Sequence, residues 1–259
     1  MLLVLDVGNT EITGGLFAKD KLTARWRLNT HGDRTPDEWA VTFQAHLDQK
    51  GKAGASVKAV ALASVVPQIV PDLVAGLAGL VDVDPIVVGA DSKLPLTLDV
   101  EEPRTVGADR VVNTLAACEL YKRDTIVVDF GTATTFDCIT ADRRFIGGVI
   151  MPGVAIAAEQ LIRKTAKLPA TELTAPVKTI GRRTEDCVRA GVLFGAADSA
   201  DGIVRRIKKE WPNKDAPLVV ATGGLARLIA PLTQELKQQE PDLTLIGLRL
   251  AAKHLGLTW

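Results

Sequence analysis

Residues 1–17 read MLLVLDVGNTEITGGLF, and residues 124–139 read DTIVVDFGTATTFDCI. In each stretch an apolar run meets an aspartate, then one apolar residue, a glycine and a group of small hydroxyl or amide side chains. The runs 2–5 and 125–128 are predicted to be buried strands. Thr13, Gly14 and Gly15 are poor helix formers, so the chain after the first turn is expected to return as a strand over 12–17 in a hairpin. Such a turn suits a phosphate, because glycine lets the backbone approach and small donors reach the oxygens. Gly8 and Gly131 supply the approach; Asn9, Thr10, Thr13, Thr132, Thr134 and Thr135 supply the donors. One copy alone reads most simply as a β-turn. Two copies, each closing the most apolar strand of its half, favour a nucleotide cleft. Asp6 and Asp129 would face each other across it if the halves are related by a pseudo-twofold axis. A carboxylate beside a polyphosphate needs a cation between them, since like charges repel.

The order of elements extends the repeat. A third strand is expected over 23–28. Thr35 then reads as a helix N-cap, with Pro36, Asp37 and Glu38 in the first turn of a helix running to about Lys50. Strands over 57–64 and 85–89, an extended segment over 94–100 and helices over 67–80 and from 107 complete the first series. The second series reads as strands over 125–128, 135–140 and 145–150, helical patterns over 155–166 and 183–211, and a strand over 218–221. That strand ends in Thr222-Gly223-Gly224, and a helix follows; a last helix is expected over 248–255. Asp6 and Asp129 stand 123 residues apart, and the order of elements carries the duplication more than residue identity does.

Bulk properties exclude several functions. With 259 residues, 47% hydrophobic and 24% charged, the chain is an ordinary globular sequence of one large or two small domains. Its 31 basic and 31 acidic residues cancel, which leaves no field for nucleic acid and no polybasic membrane patch. Aromatic residues, at 4%, are too few for a base-stacking platform. The apolar stretch 59–71 is interrupted by Pro67 and Pro71 and stopped by Asp72, so no membrane span is expected. No basic residue precedes the first strand, which argues against a signal peptide. Cys118, Cys138 and Cys187 are far apart and are expected to be buried thiols of a reducing cytoplasm, not disulfides or zinc ligands. His31, His46 and His254 read as surface or packing residues, and the basic run 205–209 as a solvated helix face. The motifs of P-loop, dinucleotide-binding, zinc-protease and serine-hydrolase sites are absent.

Nine stretches, in order along the chain, carry a resemblance. They are DVGNTEITGGLF (6–17), ASVVP (63–67), EEPRTVGADR (101–110), DFGTATTFD (129–137), GGVIMPG (147–153), KLPATEL (167–173), GRRTEDCVRAG (181–191), ATGGLA (221–226) and PDLTLIGLR (241–249). Together they closely resemble the type III pantothenate kinases. GADR with DFGTATT and GGVIMPG is specific, whereas DVGNT alone indicates only the wider superfamily of actin, hexokinase and the acetate kinases. The resemblance implies an α/β fold of two ribonuclease-H-like halves, an actin-like ATPase duplication with mixed sheets flanked by helices. Residues 1–117 would hold the first phosphate loop and the substrate loop; residues 118–259 would hold the second phosphate loop and the adenosine-side loop. It further implies a cytoplasmic homodimer with a shared active site, ATP as donor, Mg2+, and a potassium or ammonium ion. The implied reaction is ATP-dependent phosphorylation of pantothenate to 4'-phosphopantothenate, the first step toward coenzyme A. The rival readings are a kinase of the same fold acting on another small hydroxy-acid or amide, and a non-catalytic nucleotide-binding regulatory protein.

Roles follow residue by residue. On spacing alone Asp109 reads equally as a general base or as a first-turn acid stabilised by the helix dipole; the resemblance decides for the base. Arg110 offers a guanidinium fork suited to the pantothenate carboxylate, with a structural ion pair to Glu101 or Glu102 as the bland alternative. Gly107 and Ala108 resemble the part of the loop that admits substrate. Asp6, Val7, Gly8, Asn9, Thr10, Glu11, Ile12 and Thr13 resemble the first phosphate loop, with Asp6 a candidate for Mg2+ through water. Asp129 is similar to the family's monovalent-cation ligand and Thr132 to its second phosphate contact. Thr184 matches a threonine used on pantothenate, with helix capping as the alternative. Gly223 and Gly224 are expected under the adenine, or simply in a strand-to-helix turn.

Two departures stand out. Val100 occupies a position where many members carry tyrosine, and Glu11 is an acid inside the phosphate loop, expected to point away from the phosphates. The uncharged stretch 145–158, FIGGVIMPGVAIAA, is either core or an apolar wall shared between subunits.

Overall fold

Leu2, Leu3, Val4 and Leu5 are fully buried because their strand is covered on both faces. A computed structural model describes residues 1–30, 33–49 and 56–259. The first strands are β1 (Leu2–Val7), β2 (Glu11–Ala18), β3 (Lys21–Asn29), β4 (Ala59–Ser64) and β5 (Ile86–Val88). They form one sheet in the order β3-β2-β1-β4-β5. β1 runs antiparallel to β2 and parallel to β4. Helices α1 (Pro36–Gln49) and α2 (Val70–Leu80) lie on one face. There Leu3, Leu5 and Val7 meet Trp39, Phe43, Leu47, Leu73 and Leu77. On the other face lie α3 (Ala108–Tyr121) and, numbered in chain order, α7 (Leu243–His254). There Leu2 and Val4 meet Val112, Leu115, Leu245, Leu248 and Ala251. A strand buried on both faces has no polar alternation to show, which is why β1 reads as a continuous apolar run. Each such side chain contributes about 1.5–3 kcal/mol by leaving water.

α1 starts where the sequence predicts. Glu38 Oε2 accepts from Thr35 N at 2.8 Å, and Glu38 N donates back to Thr35 Oγ1 at 3.4 Å, a reciprocal capping box. The expected end near Lys50 and His31 lie outside the described residues. The expected helix over 67–80 opens as a 3-10 turn at Pro67–Ile69 before α2. The extended segment over 94–100 yields only the short β6 (Thr97–Leu98).

The second set of strands is β7 (Thr125–Phe130), β8 (Ala133–Ile139), β9 (Arg144–Pro152), β10 (Leu218–Thr222) and β11 (Gln238–Gln239). They lie side by side in the order β11-β10-β7-β8-β9. Set on β1–β5, this is the same topology, with the central strand again antiparallel to the next strand and parallel to the fourth of its set. β1 and β7 share one burial pattern, and Asp6 and Asp129 are each the fifth residue of a six-residue strand. Helices α4 (Val154–Arg163), α5 (Thr184–Glu210) and the short α6 (Ala226–Ile229) belong to this set. Leu193, Ala197, Ala200 and Val204 of α5 pack on Ile126, Val128 and Phe130.

The described chain divides into two compact units, Met1–Glu119 with Leu243–Trp259, and Leu120–Asp242. The tail that the sequence reading placed in the second half thus packs in the first unit. α7 also starts five residues earlier than the expected 248. Its pattern of apolar residues says that one face is buried but not which sheet covers it. Cys118 and Cys138 are buried as expected, whereas Cys187 is exposed, a correction that follows from its place in the first turn of α5. Among the described residues no helix is long and apolar enough to cross a membrane.

Candidate active site

The first candidate loop is the turn over 8–11. Gly8 N donates to Glu11 O at 3.0 Å, closing the turn. Thr30, buried just after β3, braces it from behind: its Oγ1 donates to Gly8 O at 2.7 Å and its N to Thr10 O at 3.0 Å. Sequence reasoning missed Thr30, since a threonine after a strand carries no signal of a contact 22 residues back. Asn9 and Thr10 are exposed, while Val7 and Ile12 pair in register inside the core. Val7 and Ile12 therefore have only backbone to offer a ligand. Asp6 is half-buried, opposite Thr13 on β2. Strand alternation puts it on the same face as Leu2 and Val4, the face covered by α3. Glu11 is exposed, and its carboxylate is held by Arg27 of β3 at 3.2 Å.

The second loop is one residue shorter. Three residues separate the register pair Phe130 and Thr134, against four between Val7 and Ile12. Gly131 N donates to Ala133 O at 3.0 Å, and Leu225 N to Phe130 O at 3.2 Å. Asp129 is half-buried, with Thr135 opposite it on β8 and Thr222 opposite it on β10. Thr132 is half-buried at the turn, and Thr134 is buried.

Asp109 and Arg110 sit in the first turn of α3, after a 3-10 turn at Pro103–Thr105. Val111 N donates to Gly107 O at 3.1 Å, which starts the helix at that glycine. Asp109 Oδ1 accepts from Arg110 N at 2.8 Å. Burial pushes the Asp109 carboxyl above its ordinary value of 3.8, against the opposing pull of the Arg110 amide and the Arg110 charge. A carboxylate that holds its proton more firmly is a stronger base once ionised, the property a general base requires. Ala108 is buried in the cluster with Val112 and Leu115, so its side chain serves packing. Val100 is half-buried, between β6 and the 3-10 turn.

Thr184 is the first residue of α5 and is exposed. The N-cap is Arg183, with no side-chain capping bond, so the capping alternative for Thr184 is set aside. Gly223 follows β10 with φ +92°, a left-handed value that glycine takes without strain, and Gly224 beside it is exposed. His46 stacks on Trp26 with ring centroids 5.9 Å apart, and His254 lies 3.4 Å from Glu119, so both are packing or surface groups. In the basic run, Lys208 meets Glu235 at 2.6 Å. A cavity of about 280 Å³ lies between β9, α4 and α5, walled by Met151, Val154, Gly195 and Ser199. Thr134, one of the candidate phosphate donors, lines it as well. Among the described residues, no group of three or more His, Cys, Asp or Glu side chains is placed to hold a metal.

The chain is similar to known proteins over nearly its whole length. The family model for type III pantothenate kinase matches residues 2–206. A Thermomicrobium roseum protein named type III pantothenate kinase is 44% identical over 255 residues, covering 98% of each chain. One of that name from Syntrophotalea carbinolica is 44% identical over 250 residues, covering 96% of this chain and 97% of its own. Among solved structures, a 2-dehydro-3-deoxygalactonokinase-like protein of Sinorhizobium meliloti aligns with TM-score 0.60 at 14% identity, over 100% of this chain and 98% of its own. The activator of the 2-hydroxyisocaproyl-CoA dehydratase from Clostridium difficile aligns with TM-score 0.55 at 13% identity, over 98% of this chain and 95% of its own. At such identities the structures speak for the fold alone, the duplicated actin-like fold of sugar kinases and ATPases. The match of family model and relatives across both aspartate loops and α3 is of a different order: this chain belongs to the type III pantothenate kinase family.

Proposed function

We infer that this chain transfers the γ-phosphoryl group of ATP to the primary hydroxyl of pantothenate, giving 4'-phosphopantothenate and ADP, the first step of coenzyme A biosynthesis. The observation that carries the reading is Asp109: a carboxylate in the first turn of α3, its proton affinity raised by burial, within a chain that matches the family end to end. Phosphoryl transfer asks little covalent chemistry of the protein and much positioning. Asp109 accepts the hydroxyl proton as the oxygen attacks phosphorus. Arg110 takes the pantothenate carboxylate, and Gly107, Ala108 and Val100 border the substrate. The loop of Asp6, Val7, Gly8, Asn9, Thr10, Glu11, Ile12 and Thr13 meets the phosphates through backbone amides and the exposed Asn9 and Thr10, with Thr132 as a second contact. The Arg27 pair keeps the Glu11 charge engaged elsewhere.

Mg2+ bound chiefly by phosphates and water needs one carboxylate rather than a protein cage, and Asp6 fits that role. Asp129, a half-buried carboxylate at a strand end, fits a monovalent ion such as K+ or NH4+ that offsets phosphate charge.

The chain works as a homodimer with a shared pocket in this reading. Ile150, Ile156, Leu161, Val177 and Ile180, all within residues 150–180, are exposed in the lone chain, and a second subunit would cover them. Thr184, exposed and not used as a cap, is available to substrate bound by the partner. The buried thiols Cys118 and Cys138 fit a reducing cytoplasm.

The test is ADP release coupled to product identification, with pantothenate, pantetheine and no acceptor. Pantothenate-dependent ADP with a phosphate ester on the terminal hydroxyl is expected; ADP release independent of acceptor would refute the reading. Val100 favours one alternative, a shifted preference toward another small hydroxy-acid or amide, and the pantetheine arm reads it. The non-catalytic alternative has no residue in its favour, because Asp6, Asp109, Arg110 and Asp129 are all present.

A further inference from the structure

The turn that carries Asp129 and Thr132 is hemmed in by two glycines from separate elements. Gly153 is the N-cap of α4, buried, with φ −66° and ψ 153°, a conformation open to any residue. It is required for space alone. A β-carbon there would stand 2.6 Å from the carbonyl carbon of Thr132 and 2.7 Å from Gly131 O, and would overlap Thr132 O. Gly223 comes from the end of β10. A β-carbon there would stand 2.7 Å from the backbone N and C of Phe130 and would overlap Asp129 Oδ1. The atoms in the way are mostly backbone, which cannot swing aside as a flexible side chain would. By contrast, a β-carbon on Gly202 of α5 would meet nothing within 4 Å.

We propose that Gly153 and Gly223 are positioning residues for the nucleotide, setting from two sides where the Asp129 carboxylate and the Thr132 backbone stand. This rests on the reading of 129–132 as a phosphate loop. The pairing explains why two loops distant in sequence, GGVIMPG and ATGGLA, accompany DFGTATT: each contributes the one residue without a side chain at the point of closest approach. A methyl group at either position moves the turn or the element pressing on it. A shift of about 1 Å in groups that align a reacting phosphate is enough for losses of tenfold and more. Neither glycine needs to touch nucleotide for this effect.

The experiment compares wild type, Gly153→Ala, Gly223→Ala and Gly202→Ala. Binding of a non-hydrolysable ATP analogue with Mg2+ is measured by calorimetry, alongside separate KM values for ATP and pantothenate and the melting temperature. Weakening of analogue binding by about tenfold or more is expected for Gly153→Ala and Gly223→Ala, with the ATP KM rising in step and the pantothenate KM unchanged. Gly202→Ala is expected to bind as wild type does. A merely structural role would lower the melting temperature without splitting the two KM values. Analogue binding equal to wild type in folded Gly153→Ala and Gly223→Ala, or equal losses for both substrates, overturns the proposal. If a single variant fails to fold, Asp129→Ala is compared with Asp129→Ala/Gly223→Ala, where the obstructing carboxylate is gone. Equal affinities in that pair support action through Asp129, and a further tenfold loss overturns it. A wild-type chain that binds no nucleotide overturns the functional reading itself.

Discussion

A β-carbon on Gly107 would stand 2.5 Å from Asp109 Oδ1. The glycine that starts α3 thus also leaves the Asp109 carboxylate its place, two residues into the helix. The carboxylate is held there by its hydrogen bond from Arg110 N at 2.8 Å. Asp109→Asn keeps the shape and removes the proton acceptor, so turnover is expected to fall roughly 100-fold or more with folding retained. Gly107→Ala is expected to lower kcat as well, with no further loss when added to Asp109→Asn, because both act on one group. Steady-state kinetics on the two single variants and the double variant check this, and strict additivity would separate Gly107 from the base.

The raised pKa of Asp109 has two consequences with defined signs. The base works ionised, so the acid limb of kcat/KM is expected at a pH above the ordinary 3.8, and it should vanish in Asp109→Asn. For stability, the folded chain binds this proton more tightly than the unfolded chain does. Stability from the group is full below pH 3.8 and is lost as pH rises through the folded pKa. Asp109→Asn should therefore melt higher than wild type at pH 7 to 8, with the gap closing toward pH 4. Melting curves across that range decide it; a gap that widens on acidification contradicts the burial argument.

For Asp129, activity is expected with potassium or ammonium and little with sodium. Potassium but not sodium should also raise the melting temperature, a readout independent of turnover. Asp129→Ala should lose both responses. Equal rates and equal melting in the two salts for the wild type would remove the cation from this carboxylate.

The shared pocket predicts complementation. Asp109→Asn and a bulky replacement such as Thr184→Trp are each expected to be inactive. Mixed dimers would place both lesions in one site and leave the other intact, so activity should return after subunit exchange. No recovery despite exchange proven by mass spectrometry would mean that each chain builds its own pocket.

Asp124 gives a control far from the proposed chemistry. Burial alone would raise its pKa, but bonds from Trp211 Nε1 at 2.8 Å, Asn213 Nδ2 at 2.7 Å and Ala141 N at 2.7 Å outweigh it and lower the value. Asp124→Ala strands three donors and should cost about 2–4 kcal/mol of stability with kcat per folded molecule unchanged. The carboxylate's contribution is present above pH 3.8 and lost as pH falls through the lowered folded value. Urea unfolding at pH 7 measures the loss.

The sequence by itself determined most of the local structure and the family to which the chain belongs. The apolar runs before Asp6 and Asp129 became the central strands of two sheets, because a run buried on both faces has one stable place to go. The Thr35-Pro36-Asp37-Glu38 start was legible because capping is short-range chemistry. Asp109, Arg110 and the two aspartate turns could be singled out as candidates because their motifs are contiguous. Only the tertiary structure decided what depends on contacts between distant segments. It gave α7 to the first unit, since an amphipathic pattern records that a face is buried and not by what. It brought Thr30 under the first turn, and it drew Arg27 to Glu11 across two strands. It also gave a purpose to Gly153 and Gly223, whose meaning is an absence: no sequence pattern reveals the backbone that a missing β-carbon makes room for.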